Sequence, residues 1–462
     1  MNPNLSQRPL LLGPVEVAKP WGAEQWLNST RPEAPATLRE AGAPTLVPTL
    51  SELIASEPSL LGEWTRRLYG DELPIFTKLL RADFPPFVHV GFSRAVERQA
   101  LLGWLSREQA MLRQLLAMLD VPTRAAFDDF QRVYGSWATM QAGARWQLID
   151  QHEIASRLAP FVRAEPDTLV AVMRRLRQNR AQLVDVLNEV DLRREAGNLL
   201  LTPAGVVHAI FGLSHQTHAL DRTRSTLEAL LHNLRLLVAA GAPDDELRAL
   251  AEAADLPSLR RANRAAPKNE AWLPMSVGGQ LVLVEPQQSS DTTYSLADFY
   301  TPFVWDRDRV RFRKGEATYG LASSELLRQL DDVDLSATPL DRLRRVPARV
   351  PSVSSHDAIL FRLVDEPASW PFFTAYRLDL HGGPGAAARF AGDHAPGAFQ
   401  QLVVLHGEVE LIDALGHRAT LSPAVPAFIP ATHRGGYSLV TRGSARVLFL
   451  SVPTPRGGFP DA

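Results

Sequence analysis

Residues 203–208, Pro-Ala-Gly-Val-Val-His, place an imidazole just past a turn, between an apolar run at Leu199–Leu201 and a second run at Val206–Ile210. Proline fixes such a turn and glycine lets backbone pass close to a site, so His208 can reach a metal ion without disturbing a core. A hydrogen-bonded core histidine is the other reading of this residue. Leu213-Ser-His-Gln-Thr-His218 follows at once, and strand alternation would set Gln216 and His218 on one side and His215 on the other. Pro86-Phe-Val-His-Val90 carries His89 on a further strand, level in alternation with Phe87. Lys78 lies inside the apolar run Leu73-Pro-Ile-Phe-Thr-Lys-Leu-Leu80. A buried ammonium is costly unless paired, so this lysine is either at an edge or functional. Gln280-Leu-Val-Leu-Val-Glu285 opens into the polar block Pro286-Gln-Gln-Ser-Ser-Asp-Thr-Thr-Tyr294, which suits a solvated loop or a sugar-binding wall. Arg309, Arg311 and Arg313 alternate, as on a solvated edge strand or a phosphate clamp.

Composition narrows the chemistry. The chain has 462 residues, is 45% hydrophobic and 22% charged, and carries a formal net charge of -2. Such a chain holds two or three domains and offers neither a nucleic-acid nor a membrane surface. Nothing in it is long and apolar enough for a bilayer span, and Pro9-Leu-Leu-Leu-Gly-Pro14 is too short for a signal peptide, so a cytoplasmic location is expected. With no cysteine, thiolate catalysis, disulfides and Cys-type zinc sites are excluded. Any metal must be held by His, Glu, Asp or Gln.

The elements that position these residues can be read in order. Residues 14–27 form an opening strand and a Trp-Gly turn, and Thr49 caps a helix that begins Leu50-Ser-Glu-Leu. Strands are expected at 73–80 and 86–90. From Ser93 the period changes: Val96, Ala100, Trp104, Met111, Leu112 and Leu115 recur at helical spacing, and further helices are expected at 123–134, 150–162, 166–179 and 180–189. Strands return at Asn198, residues 223–262 read as a helical pair, and 352–453 has the short strands and Gly/Pro turns of a sandwich or jelly roll.

Taken together these motifs resemble type I mannose-6-phosphate isomerases (phosphomannose isomerases), a two-cupin family. The resemblance runs through Lys19-Pro-Trp-Gly-Ala-Glu24, Thr49 to Gly62, Leu73 to Ala82 with a site lysine at Lys78, Phe87-Val-His89, Thr202 to Ala209, Lys268-Asn-Glu-Ala-Trp272, and Glu285 to Tyr294, which is nearly the bacterial form of the family's signature loop. It implies a mainly β fold with a helical insertion: two cupin (jelly-roll β-barrel) domains plus an α-helical domain. The catalytic cupin would comprise 1–92 and 198–320, interrupted by a helical insertion at 219–266; the helical domain would be 93–197 and the second cupin 340–462.

The resemblance also implies a reaction, the interconversion of mannose 6-phosphate and fructose 6-phosphate or a related sugar phosphate. One divalent metal, zinc first and manganese or iron as alternatives, would be held by His89, His208, Glu270 and His218. Lys78 and Glu285 are the candidates for moving the proton; Gln287, Ser289, Asp291, Thr292 and Arg311 would hold the substrate. Three departures stand out. Phe87 replaces the family's glutamine ligand, and Gln216 or His218 is offered in its place. Ser295 replaces the family's arginine, which Arg311 or its neighbours would supply. The Lys-x-Glu segment follows the His208 turn, whereas in the family it precedes it. A cupin that kept the sugar pocket and lost the chemistry is the competing reading. The expected partner is a small-molecule sugar phosphate, with the oligomeric state left open.

Overall fold

The computed structural model describes residues 7–19, 22–39, 46–82, 89–93, 98–140, 151–184, 187–191, 196–202, 207–210, 214–217, 249, 270–277, 280–289, 294–298, 302–312, 344–367, 370–393 and 397–455. Phe87, the turn at 203–206, His218, Asp291, Thr292 and Arg313 lie outside the described residues, as does all but one residue of the 219–266 segment. What is described is mainly β, with helices gathered in the first half.

Three sheets are stacked by the alternation of their strands. A nine-stranded sheet has one face in each of two cores. On the strand Ser444–Ser451, Val447 and Phe449 enter one core and Leu448 and Leu450 the other. The first core lies against a four-stranded sheet, through Phe390, Leu411, Leu421 and Leu439. The second lies against a seven-stranded sheet, through Ile75, Leu79, Leu199, Leu201, Leu273 and Val284. Each fully buried leucine contributes roughly 2 kcal/mol, so a slip of one residue on any of these strands is strongly disfavoured. That constraint fixes the register of the strand Ile75–Ala82: with Ile75 and Leu79 in the core, Phe76, Lys78 and Leu80 stand on the other face.

The N-terminal strand Leu10–Gly13 belongs to the nine-stranded sheet, pairing Leu10 with Phe428 on one side and Leu12 with Leu38 on the other. The segment after the first helix docks on the same body. Gly62 has φ 83 and ψ 154, and a Cβ there would stand 2.2 Å from the carbonyl oxygen of Gly397. Around it Trp64 N donates to Gly397 O (3.1 Å) and Ala431 N to Leu60 O (2.8 Å).

Thr49 caps the helix Leu50–Ser56 as the sequence predicts. Its hydroxyl accepts from Glu52 N at 3.1 Å, and the Glu52 carboxylate accepts from Thr49 N at 2.8 Å. Because the box satisfies two orphan N–H groups, Thr49→Ala is expected to lower stability by about 1 kcal/mol in urea titrations. An unchanged midpoint would show the box to be idle.

The helices Arg98–Met118, Arg124–Met140, Gln151–Leu158 and Pro166–Val184 bury Trp104, Leu112, Leu115, Phe130, Trp137, Leu158, Met173 and Leu176. Two expectations are corrected here. Residues 166–179 and 180–184 form one helix, and the predicted helix over 180–189 gives way to the strand Leu187–Asp191, which pairs with His89–Ser93. Pairing with a waiting strand outweighs weak local helical preference. The arginine segment is a hairpin of Phe303–Asp306 and Arg309–Phe312, closed by Arg307 and Asp308 at φ 48 and 61, the double positive φ of a type I′ turn. Its Phe303 and Trp305 pack on Phe130 and Phe127 at 5.9 Å in each case.

Candidate functional site

The chain crosses three times from the seven-stranded to the five-stranded sheet: from Ile75–Ala82 to His89–Ser93, from Leu199–Thr202 to Val207–Ile210, and from Gln280–Gln288 to Tyr294–Asp298. Each crossing contains one of the motifs singled out in the sequence. The strand registers show which of them share an end of the sheets. Glu270 is level with both Thr202 and Gln287. In the five-stranded sheet Val207 is level with Thr217, and Thr217 with Tyr294. The second and third crossings therefore leave from one rim of the first sheet and arrive at one rim of the second. Glu270, Gln287, Gln288 and Ser289 lie at or near this rim. The chain also enters and leaves the undescribed loops of Asp291, Thr292 and His218 there.

A single row of the five-stranded sheet holds Ser295, Gln216, His208 and Phe92, each level with the next. Gln216, offered in the sequence as a replacement ligand, is thus the cross-strand neighbour of His208. Ser295, the position of the missing arginine, is in the same row. His89 is not brought to this row. Its strand is paired so that Phe92 faces His208, which leaves His89 three residues, ~10 Å, toward the opposite end of the strand. It is level with Asp191 instead.

One step in from the rim of the seven-stranded sheet, Lys78 and Glu285 are direct cross-strand partners. They are 5% and 3% exposed, and Gln287 is fully buried. On the other side Lys78 is level with Trp26, on the strand Gly22–Trp26. The Lys78 ammonium lies 5.1 Å from the centroid of Phe76, 5.7 Å from that of Trp26, and 4.0 Å from Oε2 of Glu24. The same Glu24 oxygen accepts from Trp26 Nε1 at 2.9 Å. Trp26 and Phe76 meet edge to face at 4.9 Å, forming an apolar floor with Ala34. The predicted buried lysine is therefore paired, and two aromatic rings add cation–π attraction. Glu24 was not singled out in the sequence. Its signal was the alternation Glu24-Gln-Trp26, whose meaning depends on knowing that this strand adjoins Lys78.

Arg311 is held elsewhere. It pairs with Asp306 at 3.1 Å on the hairpin that packs against the helices. Its Nε is buried without a hydrogen-bond partner among the described residues.

The residues offered as ligands are imidazole, carboxylate and amide donors, a set that suits zinc. Among the described residues no three His, Asp or Glu side chains gather as a metal site, and the side chains of His89, His208 and Glu270 are not among those described. Among the described residues no helix is long and apolar enough to cross a membrane.

No family model matches the chain, and no curated protein does. Solved structures that resemble it include a candidate mannosephosphate isomerase from Archaeoglobus fulgidus, at 10% identity and a TM-score of 0.42, covering 97% of this chain and 100% of that one. A single-site variant of phosphomannose isomerase from Salmonella typhimurium aligns at 14% identity and a TM-score of 0.42, over 96% of this chain and 100% of that one. A mannose 6-phosphate isomerase bound with zinc and yttrium aligns at 12% identity and a TM-score of 0.42, over 96% and 100%.

Proposed function

We propose that the chain is a metal-dependent aldose–ketose isomerase of a sugar phosphate, with mannose 6-phosphate and fructose 6-phosphate as the pair to try first, built on two cupin-type barrels with an intervening helical domain. The observation that carries this reading is the register. Lys78 and Glu285, and Glu270 and Gln287, far apart in sequence, are cross-strand neighbours on one sheet. His208, Gln216 and Ser295 are neighbours on the other. These are the positions at which the sequence resembles the isomerase motifs.

In this reading His208, Glu270 and His218 would hold the metal, with Gln216, level with His208, as the amide donor. A divalent metal bound there would supply Lewis-acid polarisation of the sugar carbonyl. Glu285 takes the proton from C2 of the aldose and returns it to C1 of the ketose. A carboxylate can accept that proton, whereas an ammonium cannot, so Lys78 serves as the cation that faces the developing negative oxygen. Gln287, with Ser289 and the loop bearing Asp291 and Thr292, supplies hydrogen bonds to the sugar hydroxyls. His89, three residues along its strand from the level of His208, is left out of this set.

The expected result is zinc at one equivalent per chain, with turnover of mannose 6-phosphate in an assay coupled to the fate of fructose 6-phosphate. His208→Ala and Glu270→Ala should each lose the ion, and zinc content of His89→Ala decides that residue's place. Absence of turnover with zinc fully loaded would instead establish a sugar-binding protein that has lost the reaction. Ser295 and Phe87 at the positions of the family's arginine and glutamine favour that second reading.

A further inference from the structure

We propose that Glu24 is a positioning residue for Lys78, a role that rests on the placement of Lys78 in the isomerase site argued above. The Glu24 side chain is 11% exposed and comes from the strand beside the lysine strand. One of its oxygens receives the Trp26 indole N–H at 2.9 Å and stands 4.0 Å from the Lys78 ammonium. A two-residue spacing on one strand puts Glu24 and Trp26 on the same face, so the donor that orients the carboxylate is part of the same small unit. The Trp26 ring is itself seated against Phe76, whose ring also lies under the ammonium.

Glu24 therefore does two things. It offsets the charge of a lysine that burial would otherwise penalise, and it draws the flexible four-carbon stem to one side of the aromatic floor. A residue that fixes its neighbour in this way acts on the rate more than on substrate affinity, because it sets the geometry that matters only as charge develops.

The composition supplies a direct test. Of the 49 lysine and arginine residues only Lys19, Lys78, Lys268 and Lys314 are lysines, so a protein carrying 15N in its lysine side chains has four ammonium groups to resolve. The Lys78 signal is identified by its loss in Lys78→Met. It is expected to be visible, since a held ammonium exchanges its protons slowly. Glu24→Gln should displace it or broaden it away, Glu24→Asp should restore it in part, and the other three signals should stay in place. Trp26→Phe, which keeps the ring and removes the N–H, should move the signal in the same direction, and it stands in for Glu24→Gln if that variant does not fold. In the isomerase assay Glu24→Gln is expected to lower kcat by about 10- to 100-fold with KM little changed. A Lys78 signal unmoved in both Glu24→Gln and Trp26→Phe, or no Lys78 signal in the unaltered protein, overturns the proposal. The spectrum needs no turnover, so a failed assay with the expected spectral change would count against the isomerase reading and leave Glu24 in its role.

Discussion

A Lys78→Met variant is expected to interconvert mannose 6-phosphate and fructose 6-phosphate about 10²- to 10⁴-fold more slowly than the unaltered protein. Methionine keeps an unbranched stem of similar length against Trp26 and Phe76, so the aromatic floor stays covered. What is removed is the positive charge between Glu24 and Glu285. Two consequences separate in measurement. Loss of the cation raises the barrier and shows as lower kcat. Leaving two buried carboxylates uncompensated lowers stability, and shows as a reduced melting temperature. Lys78→Arg keeps the charge but presents a planar fork in place of a compact ammonium, and should not restore full activity. Turnover within twofold of the parent in Lys78→Met would remove this residue from the reaction.

Gly62→Ala is expected to be the most destabilising of the single changes considered. The backbone there has φ 83 and ψ 154, a region open to glycine and closed to residues with a Cβ. An added methyl would also lie 2.2 Å from the Gly397 carbonyl oxygen and 2.7 Å from the Ala431 Cβ. Neither neighbour can yield cheaply, since the first is backbone and also accepts from Trp64 N at 3.1 Å. Strain and overpacking together should cost about 2–6 kcal/mol, read from the denaturant midpoint. A loss below about 1 kcal/mol would mean that this docking is softer than its geometry.

Local patterns disclosed the elements where a single segment carries its own signal. Thr49 and Glu52 state a helix start within four residues, and the apolar run around Lys78 states a strand with one charge inside it. The Gly/Pro rhythm after residue 352 announced the strands that make the four-stranded sheet and much of the nine-stranded one. What local patterns could not disclose is adjacency. Nothing in Leu213-Ser-His-Gln-Thr-His218 says that Gln216 will lie between His208 and Ser295, because register depends on the lengths of distant connections and on which face is buried. The same blindness hid Glu24, which becomes interesting only once its strand is known to border Lys78. It also hid the strand Leu187–Asp191, whose partner begins at His89, on the far side of four helices. Arg311 shows the converse: its alternation was legible, but its bond to Asp306 and its seat on the helices depend on tertiary packing.

The strand Leu10–Gly13 is laid between Thr37–Arg39 and Ala427–Ile429. On the ribosome its second partner emerges about 400 residues after it, so through all of that interval this strand presents a bare edge. The lysine-bearing sheet shares a core with that same late body, through Val403, Leu448 and Leu450. Completion of this core therefore waits until the strands of residues 400–452 are made, and a nascent chain halted before them would carry an exposed apolar sheet face, a natural target for chaperones.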